Sequence, residues 1–529
     1  MPHGRSARIR RLPHGETAWN SQRSEKRWRF SRLPRTTEMS VALELQQSRC
    51  IDNDEEGTVD WGTSHELNPL ETLMWRVDTD PMMRSTVMAL EVLDVAPDWD
   101  RLVAAHEWAS RMVPRFGDRV LEPLGVLGTP VWSADSHLDL HYHLRRARLG
   151  GNGGWSELLI AAEQLAMTPF DRARPPWEAV LIEGLPEGKA AYLLKLHHAL
   201  TDGLGLTQLL SEIHSRQRAH DPRKPQPPEA THLKVDRAQY LSRQLRRDIG
   251  AVPATIRVGG ATVVRGLRGP ARFARDAIRY ANSARRVLSP PAAAGLPLLA
   301  ARGTSWRFVA LDVDFADLRG AAKVAGGSLN DAFLASLLAA FRLYHDRSHA
   351  PLSEDTTMPV SVPVSIRRNS DGAGGNHFAP ARLACPVGVV DPAVRIKMIG
   401  ELMRDARSEP ALESAALVAP VLARMPASLL VRMAGATTAG NDLQASNVPG
   451  VQEEMYMAGA KIERIYPFAP LPGCAAMIAL HTYNGVCCIG ANLDVAAVTD
   501  PALFAGCLSD GFAEVLDLKS GARGPVVLA

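Results

Sequence analysis

Two adjacent histidines end an apolar stretch of the chain, in the sequence AAYLLKLHHALTDGLGLTQLL. Asp202 and Gly203 follow His197 and His198 within a few residues, and helical spacing of apolar residues then begins. If a strand ends at this pair, one imidazole faces the core and the other faces an opening. A neutral imidazole in a cleft can accept a proton from an alcohol or amine that attacks a carbonyl carbon.

The same residues also allow two other interpretations. Adjacent residues of a strand point to opposite faces, so the two rings cannot bind one metal ion without a break in the strand. The region contains neither an HExxH helix nor a cysteine cluster, and no metal site is expected. A buried structural histidine followed by a turn aspartate is the other alternative. The doubled histidine with Asp-Gly, between a strand and a helix, favours catalysis.

Strands and helices alternate on both sides of the histidines. The stretch WEAVLIEGLPEGKAAYLLKLHH predicts two strands joined by a turn that contains Gly184, Pro186 and Gly188. Further along, GGSLNDAFLASLLAAFRLYH predicts a long helix with apolar residues every four positions, and Ser328 and Asp331 are its predicted start pair. Mixed strands and helices predict the α/β class.

A proline-rich, charged segment, DPRKPQPPEA, predicts a linker between two α/β lobes. The predicted organisation is a basic N-terminal extension expected to be disordered (1–62), a first lobe with the two histidines (63–215), a basic helical linker that contains prolines (216–303), a second lobe (304–518) and a tail (519–529).

The composition is that of a globular protein. Of the 529 residues, 46% are hydrophobic and 22% are charged. No run reaches the roughly 18 apolar residues that a membrane-spanning helix needs. The six cysteines form no CxxC pair, which favours a reducing, cytoplasmic location.

The net charge of +3 is distributed unevenly. Residues 1–38 carry +7 and residues 216–286 carry +12, which leaves −16 for the rest of the chain. Basic segments on an acidic body predict contact with an anionic surface. The alternative is that these basic residues only keep flexible segments in solution.

Arginines alternate with apolar residues from Val235 to Val287. Within this segment, ARFARDAIRYANSARRVL predicts a helix whose apolar side lies on an anionic membrane or droplet surface. The alternative is a helix packed between the lobes, with its arginines facing the acidic body.

The sequence HHALTDG resembles the HHxxxDG motif of the acyltransferase superfamily that includes chloramphenicol acetyltransferase and the condensation domains of peptide synthetases. Other stretches are similar, in order, to the bacterial wax ester synthase/diacylglycerol acyltransferase family, from about Glu66 to Leu518. They are ELNPLETLMWRVDTDPMM, VPRFGDRV, TPVW, FDRARPPWEAVLIEGL, GGSLNDAFLA, VPVSIRR, GGNHFAPARLACPVG, ASNVPG and YPFAPLPG. The resemblance implies two chloramphenicol-acetyltransferase-like lobes with an active-site tunnel between them.

The resemblance also implies roles for the motif residues. His198 is then the general base that deprotonates an acceptor hydroxyl, which attacks the thioester carbonyl of acyl-CoA. His197 supports the site, Asp202 holds the motif loop through an ion pair, and Gly203 permits the turn. Acyl-CoA is a co-substrate, and neither a metal nor an organic cofactor is expected.

Gly203 and three further residues are implied as substrate-binding residues, and the further three each have a structural alternative. Asn330 and Asp331 match the family's second motif, but both residue types also favour helix starts. Trp177 belongs to a PLW-type motif in which Pro176 replaces leucine, and its alternative place is the core. Met83 stands where the family often has histidine.

The implied activity is transfer of a long-chain fatty acyl group from acyl-CoA to diacylglycerol, which gives triacylglycerol, or to a fatty alcohol, which gives wax ester. One alternative is acyl transfer to a polyketide-type or other small alcohol, and another is a non-catalytic protein that binds lipid surfaces. The expected location is the cytoplasm, peripherally on the inner membrane face or on lipid droplets. Nucleic acid is not an expected partner, and the sequence does not define the oligomeric state.

Overall fold

The computed structural model describes residues 64–123, 128–221, 226–228, 234–236, 238, 240, 242, 246, 293–365, 376, 378–408, 425, 427–438 and 440–528. The predicted N-terminal extension lies outside the described residues. So does nearly all of the basic segment that runs from Val235 to Val287, including its predicted amphipathic helix.

The secondary structure alternates helices and strands, as predicted. The α-helices of the described residues are α1 (Pro69–Val77), α2 (Trp99–Met112), α3 (Leu140–His143), α4 (Trp155–Met167), α5 (Gly203–Ile213), α6 (Phe315–Val324), α7 (Leu329–Arg347), α8 (Pro392–Ser408), α9 (Ala427–Thr438) and α10 (Pro501–Leu516). The strands are β1 (Thr86–Leu93), β2 (Asp118–Leu121), β3 (Val131–Ala134), β4 (Leu144–Arg148), β5 (Trp177–Glu183), β6 (Ala190–His197), β7 (Trp306–Asp314), β8 (Thr357–Ser365), β9 (Phe378–Pro386), β10 (Leu443–Val448), β11 (Tyr456–Met457), β12 (Ala460–Phe468), β13 (Ala476–Tyr483), β14 (Val486–Asp494) and β15 (Val526–Leu528). Short 3-10 turns lie at Pro81–Met83, Pro114–Phe116, Pro186–Gly188 and Pro297–Leu299.

The first sheet carries the two histidines at the end of β6. Its order in the described chain is β11-β12-β1-β6-β5-β4. β5 and β6 pair antiparallel, and the predicted turn at 184–188 joins them. The central strands β1, β5 and β6 are buried along nearly their whole length. Apolar residues on both faces of these strands explain why helices such as α2 and α4 cover the sheet.

The second sheet has the order β15-β7-β14-β13-β10-β8-β9 and packs around α7. The helix begins at the predicted pair: the Ser328 side chain accepts from the Asp331 N–H, and the Asp331 carboxylate accepts from the Ser328 N–H. Both apolar sides of α7 are buried, against α8 and α10 among others. Among the described residues, no single helix is long and apolar enough to cross a membrane, although α6 and α7 pass that test as a pair bent by 92°.

The two sheets lie in one compact unit and are joined by direct contacts. The rings of Phe308 in β7 and Phe468 in β12 stack at 4.1 Å. The Glu163 carboxylate in α4 accepts from the Phe308 N–H at 2.8 Å and pairs with Arg307 at 2.9 Å. These contacts tie both β12 of the first sheet and the helix α4 that covers it to β7 of the second sheet.

The predicted boundaries of the second lobe and of the tail need correction. β12 lies within the predicted 304–518 lobe but pairs with β1 of the first sheet, with Leu90 opposite Tyr466. It does so because its buried side chains, such as Ile462 and Ile465, complete the first apolar core. The predicted tail 519–529 contains β15, which pairs with β7 and extends the second sheet.

Candidate active site

The candidate site lies where β6 ends, at His197 and His198. His197 is still paired with Thr86 of β1, whereas the His198 N–H donates to the Ser85 carbonyl at 2.7 Å beyond that pairing. His197 is fully buried, and His198 is partly exposed. The strand therefore ends as the sequence suggested, with one ring in the core and the other toward an opening.

His197 is held as a neutral, buried ring. Its Nδ1 accepts from the Ala199 N–H at 3.0 Å, which places the ring proton on Nε2. Nε2 lies 3.6 Å from the Asp78 carboxylate. The ring of Trp75 packs against the His197 ring, with 4.9 Å between the ring centroids. Burial lowers the pKa of His197 well below its ordinary value. This environment fits a supporting role for His197, which stays a prediction.

His198 has its proton on Nδ1. The Asn376 Nδ2 donates to the His198 backbone carbonyl at 2.7 Å, and this contact fixes which end of the amide is the nitrogen. The Asn376 Oδ1 then faces His198 Nδ1 at 2.9 Å, and an amide oxygen only accepts. Nδ1 must therefore be the donor, so Nε2 carries the free lone pair. Burial lowers the pKa of His198, against the opposing effects of its own backbone, of Asp202 and of Asn376, so the neutral ring is favoured at pH 7.

Asp202 and Gly203 form the start of α5. The Asp202 carboxylate accepts from the Gly205 N–H at 2.8 Å and caps the helix. The ion pair predicted for this carboxylate stays a prediction. Gly203 corrects the sequence argument, because it is not among the residues with positive φ that a turn would require. Glycine is needed there because a Cβ atom would lie 2.8 Å from a methyl group of Val448.

Asn330 and Asp331 begin α7 in the second lobe. The Asp331 carboxylate is engaged in the helix cap described above, and the side chain is 8% exposed. This contact supports the structural alternative for Asp331. The buried Nδ2 of Asn330 has no hydrogen-bond partner among the described residues. Substrate binding by either residue stays a prediction.

Trp177 is a core residue, which agrees with its structural alternative, and its predicted contact with substrate stays a prediction. Its side chain is fully buried, and its ring stacks on His143 at 4.6 Å and packs on Phe116 at 4.9 Å. The indole Nε1 donates to the Phe116 carbonyl at 2.8 Å. The first position of β5 directs this side chain into the core.

The ASNVPG stretch lies beside the motif loop, as its side-chain contact with Gly203 shows. It includes the end of β10, and the Gly450 N–H that follows donates to the Thr482 hydroxyl at 2.9 Å. A Cβ atom on Gly450 would lie 1.7 Å from the Thr482 carbonyl oxygen. The close approach to β13 therefore requires glycine.

A cavity of about 560 Å³ lies at the other end of β6, next to Lys189. Both sheets contribute to its lining, which includes Asp312, Arg464 and Tyr466. The length of β6 places it roughly 25–30 Å from the histidines. Neither His197 nor His198 lines this cavity, so it is not the predicted active-site tunnel, which stays a prediction.

Sequence reasoning missed Asn376 as a contact of the general base. The residue lies in the stretch GGNHFAPARLACPVG, which carried the family resemblance but suggested no role. Its spacing from His198, 178 residues along the chain, gives no local signal. Among the described residues, no group of three His, Cys, Asp or Glu side chains is placed to hold a metal ion.

Comparison with known proteins gives two consecutive domain matches. The profile of the wax ester synthase/diacylglycerol acyltransferase catalytic domain matches residues 66–333. The profile of the C-terminal domain of the same family matches residues 374–515. A relative from Mycobacterium tuberculosis strain H37Rv, named as a diacylglycerol O-acyltransferase, is 40% identical over 471 residues, which are 87% of this chain and 93% of the relative. Another such protein of that strain is 31% identical over 366 residues, 68% of this chain and 77% of its own length.

Solved structures show the same fold. The wax ester synthase/diacylglycerol acyltransferase from Marinobacter aquaeolei VT8 aligns with a TM-score of 0.57 and 23% identity, over 86% of this chain and 99% of that one. The first condensation domain of the CDA synthetase aligns with a TM-score of 0.52 and 17% identity, over 88% of this chain and all of that one. These likenesses confirm the predicted α/β fold of two chloramphenicol-acetyltransferase-like lobes.

Proposed function

The chain belongs to the wax ester synthase/diacylglycerol acyltransferase family of enzymes, and from this premise we propose that it transfers a long-chain fatty acyl group from acyl-CoA to diacylglycerol. The product is triacylglycerol, and a fatty alcohol as acceptor gives a wax ester. The observation that carries the proposal is the partly exposed, neutral imidazole of His198, whose Nε2 is a free base. The relatives' names favour diacylglycerol as the acceptor.

The proposed reaction couples one acyl transfer to the passage of one proton through His198. His198 Nε2 accepts the hydroxyl proton while the acceptor oxygen attacks the thioester carbonyl carbon. The new C–O bond forms, the C–S bond breaks, and the imidazolium returns the proton to the CoA thiolate. The chain supplies the base itself, so acyl-CoA is a co-substrate and the proposal includes no metal or organic cofactor.

Water must be kept from the base during this reaction, because hydrolysis of the thioester competes with acyl transfer. The ring of Phe378 packs 5.7 Å from the His198 ring and gives the site an apolar side. An apolar site favours the neutral form of His198, and it also suits two lipid substrates that bind close together.

The test uses purified protein with labelled palmitoyl-CoA and three separate acceptors: a diacylglycerol, a long-chain alcohol and a short soluble alcohol. We expect labelled triacylglycerol as the main product on thin-layer chromatography, with wax ester from the long-chain alcohol. Product from the short alcohol alone would instead indicate a small-alcohol acyltransferase. No product from any acceptor would indicate a non-catalytic lipid-binding protein.

We also propose that the enzyme is cytoplasmic and binds peripherally to the inner membrane face or to lipid droplets. Support comes from the sequence: the basic segment at 216–286 carries +12 while the body is acidic. Each Lys or Arg held near an anionic surface contributes on the order of 1 kcal/mol, and salt weakens this attraction. Acceptor and product are both lipids, so such contact brings the site to its substrate.

Vesicles with anionic lipid test this proposal by flotation. Wild-type protein is expected to float with them at low salt and to dissociate as salt rises. Replacing Arg268, Arg272, Arg275 and Arg279 by Gln should reduce flotation and activity on membrane-presented diacylglycerol, while activity on a short soluble alcohol is kept. The matched control replaces four exposed arginines of the folded body by Gln, namely Arg111, Arg148, Arg404 and Arg407. Equal flotation of the first variant and wild type at low salt refutes surface docking by this segment.

A further inference from the structure

We propose that Asn376 is a positioning residue that fixes the tautomer and the orientation of the His198 imidazole, an inference that rests on the proposed role of His198 as the general base. Asn376 forms hydrogen bonds with both the ring and the backbone carbonyl of His198. Because the two contacts use opposite ends of one amide, they act together as a clamp.

The clamp determines which ring nitrogen is the base. A neutral imidazole carries its proton on either nitrogen, and the hydrogen bond made by one nitrogen sets the state of the other. With the Asn376 oxygen 2.9 Å from Nδ1, the Nδ1–H form gains an acceptor and Nε2 is left unprotonated. The wrong tautomer would present an N–H to the acceptor hydroxyl and would have no lone pair for its proton.

The clamp also stabilises the protonated ring that forms during the reaction. When Nε2 takes the acceptor proton, Nδ1–H becomes part of an imidazolium, and its bond to the Asn376 oxygen becomes charge-assisted. The same contact holds the ring plane, because the second bond anchors the amide to the His198 carbonyl at 2.7 Å. Asn376 thus acts on the reaction through His198, without a role of its own in proton transfer.

Asn376 is itself held from behind by Asn68. The Asn68 Nδ2 donates to the Asn376 backbone carbonyl at 3.2 Å. Asn68 is the N-cap of α1 and forms a capping box with Glu71, through hydrogen bonds of 2.8 and 2.9 Å. The rigid start of a helix therefore supports the residue that orients the base.

A buried charge pair links this support to the motif loop. The Glu71 carboxylate lies 3.6 Å from the Arg115 guanidinium, and both side chains are 2% exposed. The Arg115 Nη1 donates to the carbonyl of Leu200, inside the HHALTDG motif, at 2.9 Å. The contacts therefore form a continuous path that leaves the motif at His198 and returns to it two residues later.

This path gives a physical role to three sequence stretches for which only a resemblance to the family was known. ELNPLETLMW supplies Asn68 and Glu71, VPRFGDRV supplies Arg115, and GGNHFAPARL supplies Asn376. The Asn376 amide contacts both the ring and the backbone of His198, and a helix cap supports it from behind. This arrangement is suited to holding the ring in one orientation.

The experiment compares Asn376→Ala, Asn376→Asp and wild type for kcat and KM with palmitoyl-CoA and diacylglycerol. For Asn376→Ala we expect kcat to fall about 10- to 100-fold, the range known for residues that orient metal-binding histidines, with KM for acyl-CoA nearly unchanged. Asn376→Asp keeps an oxygen that accepts from Nδ1–H, so it is expected to retain more of kcat. In wild type the hydrogen bond of Asn376 raises the pKa of His198. Its loss in Asn376→Ala should lower that pKa, so the acid limb of the rate profile should move to lower pH.

Two further variants separate positioning from general damage. Asn68→Ser keeps a residue suited to the N-cap but removes the donor to Asn376, so a smaller loss of kcat in the same direction is expected. Asn492→Ala is the matched control, because this buried amide lies in β14 of the second sheet, donates to the Ala469 carbonyl and does not contact His198. It should keep wild-type kcat and the wild-type acid limb.

The tautomer is read directly by nitrogen NMR of protein with ¹⁵N-labelled histidine, with the His198 signals assigned by comparison with His198→Gln. The Nδ1–H form is expected in wild type and a shift toward the Nε2–H form in Asn376→Ala. This measurement needs no substrate, so it remains informative if the enzyme shows no activity with any acceptor. Unchanged kcat and acid limb in Asn376→Ala, or an unchanged tautomer, would overturn the proposal.

Discussion

Replacement of His198 by alanine is expected to lower kcat by about 10²- to 10⁴-fold, the range typical for loss of a general base. The His198 ring is partly exposed, and its removal leaves the pairing of β6 intact. The variant should therefore fold, with a thermal unfolding transition close to that of wild type. Initial rates with palmitoyl-CoA and diacylglycerol, alongside thermal unfolding followed by circular dichroism, test both statements.

His197→Ala is the informative comparison for this experiment. His197 is fully buried between Trp75 and Phe170 and accepts from the Ala199 N–H, so its loss leaves a cavity and an unpaired backbone donor. Its effect should appear mainly as a lower unfolding temperature, with a smaller loss of kcat. Near-normal turnover in His198→Ala would show that another group is the base.

The free energy of unfolding is expected to fall steeply as the pH drops from 6.5 to about 4. Burial lowers the pKa of His106 and of His481 to about 4 in the folded chain. Between those pH values the unfolded chain binds protons on both histidines that the folded chain does not, so acid favours unfolding. Each ring contributes a loss of about 3 kcal/mol by pH 4, and the loss is complete only below that pH.

Contacts in the structure explain why these rings stay neutral. His106 Nδ1 lies 2.8 Å from the Leu102 carbonyl and Nε2 lies 2.7 Å from the Tyr192 hydroxyl, so the neutral ring donates to one and accepts from the other. Protonation would turn Nε2 of His106 from a hydrogen-bond acceptor into a second donor inside the core. His481 is 3% exposed, and its Nε2 has no hydrogen-bond partner among the described residues.

Urea unfolding at a series of pH values measures this dependence. His481→Leu removes one of these titrating groups and should lose about 3 kcal/mol less between pH 7 and pH 4 than wild type. His137→Gln, at an exposed position, is the control and should follow wild type. A free energy of unfolding that stays constant over this pH range would contradict the buried, neutral state of the two rings.

The sequence by itself determined the local parts of the site. The turn at 184–188, the end of β6 at the histidine pair and the start of α7 at Ser328 are all present as predicted. Each depends on interactions between residues a few positions apart: alternation along a strand, turn residues and a side chain that caps its own helix. The motif and the stretches in order around it also identified the family, which the domain matches confirm.

Only the tertiary structure decided which distant residues meet at the site. Asn376 reaches His198 across 178 residues, and Val448 lies against Gly203 from another strand. β12 joins β1 in the first sheet despite its place in the second half of the chain, and Trp177 turns into the core although its motif suggested substrate. Local patterns fix which face of a strand or helix is apolar. They do not fix its partner, because that choice depends on how the apolar faces of the whole chain are buried together.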